Sequence, residues 1–133
     1  MILRVVVVLA LLLLLVMIFL LGMTSCSSKI ILKDISDSSK IVIYEVETDT
    51  SIEITDTEVI KRISDNFESL TLSKMHYNKP TATVYTLTFY DANDNPIETV
   101  EIPSTLNWVR CNNSFYVITK GQVDREYIAM LFN

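Results

Sequence analysis

Two side chains in this 133-residue chain could form a nucleophile and its base: His76, the single histidine, and Cys111, one of two cysteines. A thiol beside an imidazole attacks carbonyl centres once it is ionised. The surrounding pattern does not assemble that pair. His76 lies between Met75 and Tyr77 in a segment expected at the surface, and Cys111 ends an expected strand beside the Asn112-Asn113 pair. A lone Cys is more often a small buried hydrophobe than a reagent. One His and one such Cys also leave a zinc ion short of ligands at any recognised spacing. No catalytic residue, metal ligand or cofactor is assigned, and a small envelope hydrolase using Cys111 and His76 stands as an alternative.

Other polar constellations resolve into turns and solvated faces. Asp91, Asn93 and Asn95 match the first oxygen ligands of a calcium loop, but the positions that need Gly and a bidentate Glu hold Pro96 and Ile102. A hairpin turn accounts for the same residues. Glu45, Glu47, Asp49 and Glu53 form an acid-rich stretch, with Glu45 and Glu47 expected on one strand face. Acids there discourage edge-to-edge aggregation, or they could meet a basic partner, as an inhibitor or immunity-type protein would. Glu98 and Glu101 fall on opposite strand faces and make no carboxylate dyad. Trp108, the single Trp, and Arg110 alternate onto one face; exposed together they are the pair expected to bind a protein or peptide partner, and buried they are core.

Composition narrows the classes further. Acids outnumber bases by sixteen to eleven, and every acid and every base except Arg4 comes after the N-terminal apolar run. An acidic domain without a basic cluster excludes nucleic acid as a partner, because binding there displaces counterions with Lys and Arg. Two Gly in the whole chain exclude a Gly-rich phosphate loop.

That apolar run sets the location. From Val5 to Leu21 no residue is charged or polar, and Arg4 before it orients the rest of the chain away from the cytoplasm. Met23, Thr24, Ser25 and Cys26 close the run and resemble the lipobox of bacterial lipoproteins. The resemblance implies acylation of the Cys26 thiol and cleavage before it, with residues 1–25 as the signal peptide. Met23 stands where Leu is usual, and the run exceeds the roughly 7–15 residues of an ordinary signal core. The competing expectation is an uncleaved helix, for which roughly 20 apolar residues suffice. Lipidation leaves Cys111 without a disulfide partner; without processing, a Cys26–Cys111 bridge stays open.

Behind the run, residues 26–39 read as a polar tether and 40–133 as one small domain. A β-rich run covers 40–47, with a brief extension at 52–54. Thr55 and Glu58 fit a capping box for a helix over 56–69, with Val59, Ile60, Ile63, Phe67 and Leu70 on one face. A strand fades into a loop through 74–80. Strands at 81–90 and 96–102 form a hairpin, as do strands at 106–111 and 114–119 across Asn112-Asn113. Gly121 breaks the last strand, and Asp124 caps a short helix carrying Tyr127, Ile128, Leu131 and Phe132. The order predicts an α+β fold: one N-terminal hydrophobic helix, then a helix on an antiparallel sheet of about four to six strands, and a short C-terminal helix.

This succession of short lipoprotein signal, capped helix, Tyr-Thr-Leu-Thr-Phe-Tyr hairpin, Asn-Asn turn and Gly-x-x-Asp resembles a family of small exported bacterial lipoproteins classified as a domain of unknown function. The likeness covers residues 40–131 and rests on alternation and turns. It implies an exported, membrane-attached domain and transfers no catalytic residue.

Overall fold

The computed structural model describes residues 1–22, 32, 34–76, 82–105 and 107–133, with side chains in the first stretch described to residue 18. The chain is α+β, with three α-helices and one seven-stranded antiparallel sheet among the described residues. The Leu-rich apolar run, without Pro, makes α1 (Ile2–Gly22), whose described side chains are all exposed. Among the described residues no helix is long and apolar enough to cross a membrane.

The domain begins earlier than the expected boundary at residue 40. A single 3-10 turn, Ile35–Asp37, drives Ile35 fully into the core, and Leu32 is buried with it. The Ser64 hydroxyl donates to the Ile35 carbonyl at 3.1 Å, satisfying a buried acceptor. The C-terminal part of the segment read as a tether is therefore packed structure, held by two aliphatics that its Ser, Lys and Asp content obscures.

Alternation builds the sheet. Strands β1 (Lys40–Glu45) and β2 (Thr50–Ile54) form a hairpin in which Ile41 faces Ile54 and Ile43 faces Ile52. Residues 46–49 are its turn, with Asp49 at positive φ, so Glu47 leaves the strand face expected to be shared with Glu45. Helix α2 (Thr57–Glu68) comes next. Its N-cap is Asp56, whose carboxylate accepts from the amides of Glu58 and Val59, and not the expected Thr55. Asp competes well for this role because a charged acceptor also complements the positive end of the helix dipole.

Strand β3 (Thr71–Lys74) is short. Strands β4 (Thr83–Tyr90), β5 (Pro96–Pro103), β6 (Trp108–Cys111) and β7 (Ser114–Lys120) make three successive antiparallel pairings. Helix α3 (Arg125–Met130) closes the chain with Asp124 as its cap, as expected. The spatial order is β2-β1-β4-β5-β6-β7-β3. The count of seven exceeds the four to six expected; both edge strands, β2 and β3, are short, and periodicity marks them only as a brief extension at 52–54 and a strand fading into a loop.

One sheet face carries Ile41, Ile43, Leu87, Phe89, Val100, Ile102 and Val109, all fully buried against Ile60, Ile63 and Phe67 of α2 and Ile128 of α3. Phe67 meets Phe89 edge-to-face at 6.2 Å. The two helices are zipped together. Asn66 donates to the Gln122 carbonyl and accepts from the Asp124 amide, while the Arg62 guanidinium lies 3.5 Å from the Tyr127 ring centroid and pairs with Asp124. Gly121 adopts φ +84, and a Cβ there would stand 3.1 Å from a Leu70 methyl, so the turn between β7 and α3 requires Gly.

Candidate functional site

The chemistry expected of Cys111 is opposed by its position. It lies on the helix-covered face, paired with Val100 across β5 and Ser114 across β7, and is almost entirely buried. Burial, reinforced by the charge of Glu98, pushes its thiol up to about 12. A thiol so placed is protonated at neutral pH. His76 is exposed just beyond β3, and β7 separates that strand from the one carrying Cys111. The structure does not bring the two together. Glu98 is on the buried face and Glu101 on the opposite one, as alternation requires.

The acid-rich stretch spreads along an edge hairpin. Glu45 accepts from the Thr48 hydroxyl, and Asp49 accepts from the Tyr44 hydroxyl. Asp91 accepts from the amides of Asn93 and Asn95 at 2.9 Å, and those backbone donors hold its carboxyl below the ordinary value. The loop is an Asx turn. Among the described residues no group of three or more His, Cys, Asp and Glu could hold a metal ion. Met23, Thr24, Ser25 and Cys26 lie outside the described residues.

Trp108 and Arg110 share a face, but not as an exposed pair: Trp108 is 4% exposed. They occupy the face of the sheet opposite the helices. There the strands present Val42, Tyr44, Thr86, Thr88, Thr99 and Glu101, all half-buried or exposed. On this face the hairpin register puts Arg110 opposite Phe115 and Trp108 opposite Val117. Asn112 and Asn113, at φ 45 and 68, set that register through a two-residue turn that admits positive φ. Phe115 crosses diagonally onto the indole, ring centroids 5.0 Å apart, and the Arg110 guanidinium lies 5.4 Å from the same ring. Arg110 also pairs with Glu101 at 2.9 Å across β5 and donates to the Asn113 side chain at 3.1 Å.

A small cavity of about 40 Å³ sits in this cluster, lined by Thr83, Glu101, Pro103, Trp108, Arg110 and Phe115. Two of its lining residues carry buried donors without an acceptor among the described residues, Trp108 Nε1 and Arg110 Nε. Period-two alternation finds the Trp108–Arg110 half of the site. Glu101, Phe115, Thr83 and Pro103 need the register of three strands, which the Asn-Asn turn signals only for one pairing.

No protein-family model, curated protein or solved structure matches the chain.

Proposed function

We propose that the protein is a membrane-anchored lipoprotein of the cell envelope, acylated at Cys26, whose domain is a non-enzymatic binding module for a protein, peptide or envelope component. The anchor reading is supported by the apolar run, Arg4 before it, and the likeness of Met23, Thr24, Ser25 and Cys26 to a lipobox. Each buried lipid CH₂ contributes about 0.8 kcal/mol, so two or more acyl chains hold a domain stably at a bilayer. The resemblance to a family of small exported lipoproteins fits the same reading.

The observation that carries the binding role is the sheet face opposite the helices. It gathers Trp108, Arg110, Phe115 and Glu101 around two donors that the described fold leaves unpaired. Aromatic and Arg side chains around a desolvated pocket are the usual composition of an interaction hot spot. The hydrolase alternative has a thiol held at about 12 against it.

Two measurements test the proposal. The intact mass of protein extracted from membranes should correspond to a chain beginning at acylated Cys26; a mass retaining residues 1–25 overturns the lipoprotein. A photo-reactive residue at Thr88 or Thr99, on the open face, should cross-link to one envelope component in intact cells, and the same probe at Lys61 on α2 should not. Equal or absent cross-linking from both faces removes the binding module.

A further inference from the structure

We infer that the free edge of β2 (Thr50–Ile54) is a docking strand for an extended, Lys- or Arg-bearing segment of a partner protein, which joins the sheet as a further strand. This goes beyond the binding role proposed above, because β1, β4 and β5 separate β2 from the Trp108 cluster on β6. The sheet ends in two edges, and among the described residues neither edge strand has a second neighbour. Edges are ordinarily blunted by bulges or by Lys. Strand β3 has both, a register shift between Thr71 and Leu72 and an exposed Lys74 at its end. Strand β2 has neither. Its register with β1 runs unbroken from Thr50 to Ile54, and it contains no Pro.

The direction of the ladder shows which groups are open. The Val46 amide donates to the Val84 carbonyl at 3.0 Å, in the same register that pairs β1 with β4. Backbone groups alternate sides along a strand, so those of Ile41 and Ile43 turn the other way and meet Ile54 and Ile52 of β2. The amides and carbonyls of Ser51 and Glu53 then point outward, and no described residue takes them. These are the groups that strand addition pairs.

The side chains specify what is added. On the helix side Ile52 is only half-buried, as is Val59 in the first turn of α2, so an apolar residue of the incoming segment completes their cover. On the open side stand the exposed Ser51 and Glu53, with Tyr44 and Val46 exposed behind them. A long basic side chain reaches the carboxylate with its head and lays its stem on apolar surface. Charge then decides between a second copy and a different partner. From Glu45 to Glu58 the chain carries Glu45, Glu47, Asp49, Glu53, Asp56 and Glu58, and neither Lys nor Arg. Lys40, the base that feels Glu53, is already paired with Asp94 at 2.8 Å. Paired strands lie about 4.8 Å apart, inside the screening length of about 8 Å at physiological salt. Two such stretches side by side repel, whereas a basic segment is attracted.

The probe is a blocked heptapeptide of alternating Lys and Val, added to the full chain in zwitterionic detergent micelles. Its comparators are the alternating Glu and Val peptide and the Lys and Val peptide with every backbone nitrogen methylated. Saturable binding should be at least ten-fold tighter for the probe than for either comparator. Amide exchange at Ser51 and Glu53 should slow at least ten-fold on binding, with Ile52 unchanged. Ser51→Pro removes an outward amide and leaves the β1 ladder intact; it should weaken binding at least ten-fold while the Ile43 and Val100 amides stay protected. Glu53→Lys, which keeps every backbone group, should weaken it about ten-fold. Absent binding, equal binding of the methylated peptide (charge attraction only), or binding without protection at Ser51 and Glu53 overturns the inference. So does a concentration-dependent dimer of the parent chain that Ser51→Pro abolishes, which would assign the edge to a second copy. Peptide binding at β2 without cross-linking from Thr88 or Thr99 in cells retains the edge and removes the open face as a binding surface; the converse removes only the edge.

Discussion

Strand β6 puts two different burials side by side. Val109 and Cys111 point toward the helices, and Trp108 and Arg110 point away, yet Val109, Cys111 and Trp108 are all nearly inaccessible. On the helix side, burial is redundant. Val109 and Cys111 belong to the main apolar cluster shared by the sheet and the helices, where burial and the charge of the buried Glu98 keep the thiol protonated. On the open side, burial is local, with Phe115 lying over the indole, and it leaves two nitrogens without acceptors among the described residues. Equal exposure therefore conceals unequal satisfaction: the first burial belongs to the main core, whereas the second encloses two nitrogens without an acceptor among the described residues.

The sharpest break in that comparison comes from truncating the helix side. Phe67→Ala should cost about 3–5 kcal/mol, read as a fall in the urea midpoint, because it removes the ring packed on Phe89. Thr88→Ala on the open face should stay within about 0.5 kcal/mol. Equivalent losses at both positions would mean that the open face is a second core.

Alkaline pH separates the faces next. The folded Cys111 pKa of about 12 exceeds the unfolded value of about 8.5. Its contribution is fully present below the unfolded pKa and is lost as pH rises toward 12. Relative to Cys111→Val, the parent chain should lose about 1.4 kcal/mol per pH unit above about 9, measured by urea denaturation at pH 8, 9 and 10. Parallel curves for the two proteins would contradict the burial of that thiol.

Two smaller effects refine the connections that hold the helices on their face. Gly121→Ala should cost about 1–2 kcal/mol in thermal or urea unfolding, since φ +84 and the Leu70 contact both oppose a Cβ. Asp56→Ala should cost about 1 kcal/mol, and Thr55→Ala less than about 0.5. A reversed pair would restore Thr55 as the cap.

Much of this architecture is legible in order along the chain. Tyr85, Leu87 and Phe89 declare one buried face by alternation, and the helix stripe from Ile60 to Phe67 declares the surface that covers it. What escapes is whatever depends on distant partners. Ile35 reads as part of a polar linker because its pocket is made by α2, and Ser64 beneath it looks like a solvated helix residue. Thr55 and Asp56 are both competent caps, and only the backbone angle at residue 56 decides between them. Trp108 and Arg110 are placed on one face by spacing alone, but whether the indole is exposed depends on Phe115, seven residues later. Pairing across a turn, rather than residue type, made the site hard to see.

The strand order carries a consequence for how the chain comes to be folded. Strand β3 leaves the ribosome well before β7, its sole neighbour in the sheet. Until residues 114–120 have emerged and paired, its backbone donors and acceptors have no ladder to join, and the contacts that close this edge are, with those of β1 and β4, the long-range ones in the sheet. Such pairings are slow because the intervening loop entropy is spent before any contact repays it. Completion of the sheet is thus deferred to the last segments synthesised. A chain with that strand order leaves β3 without its ladder until almost all of it has been made.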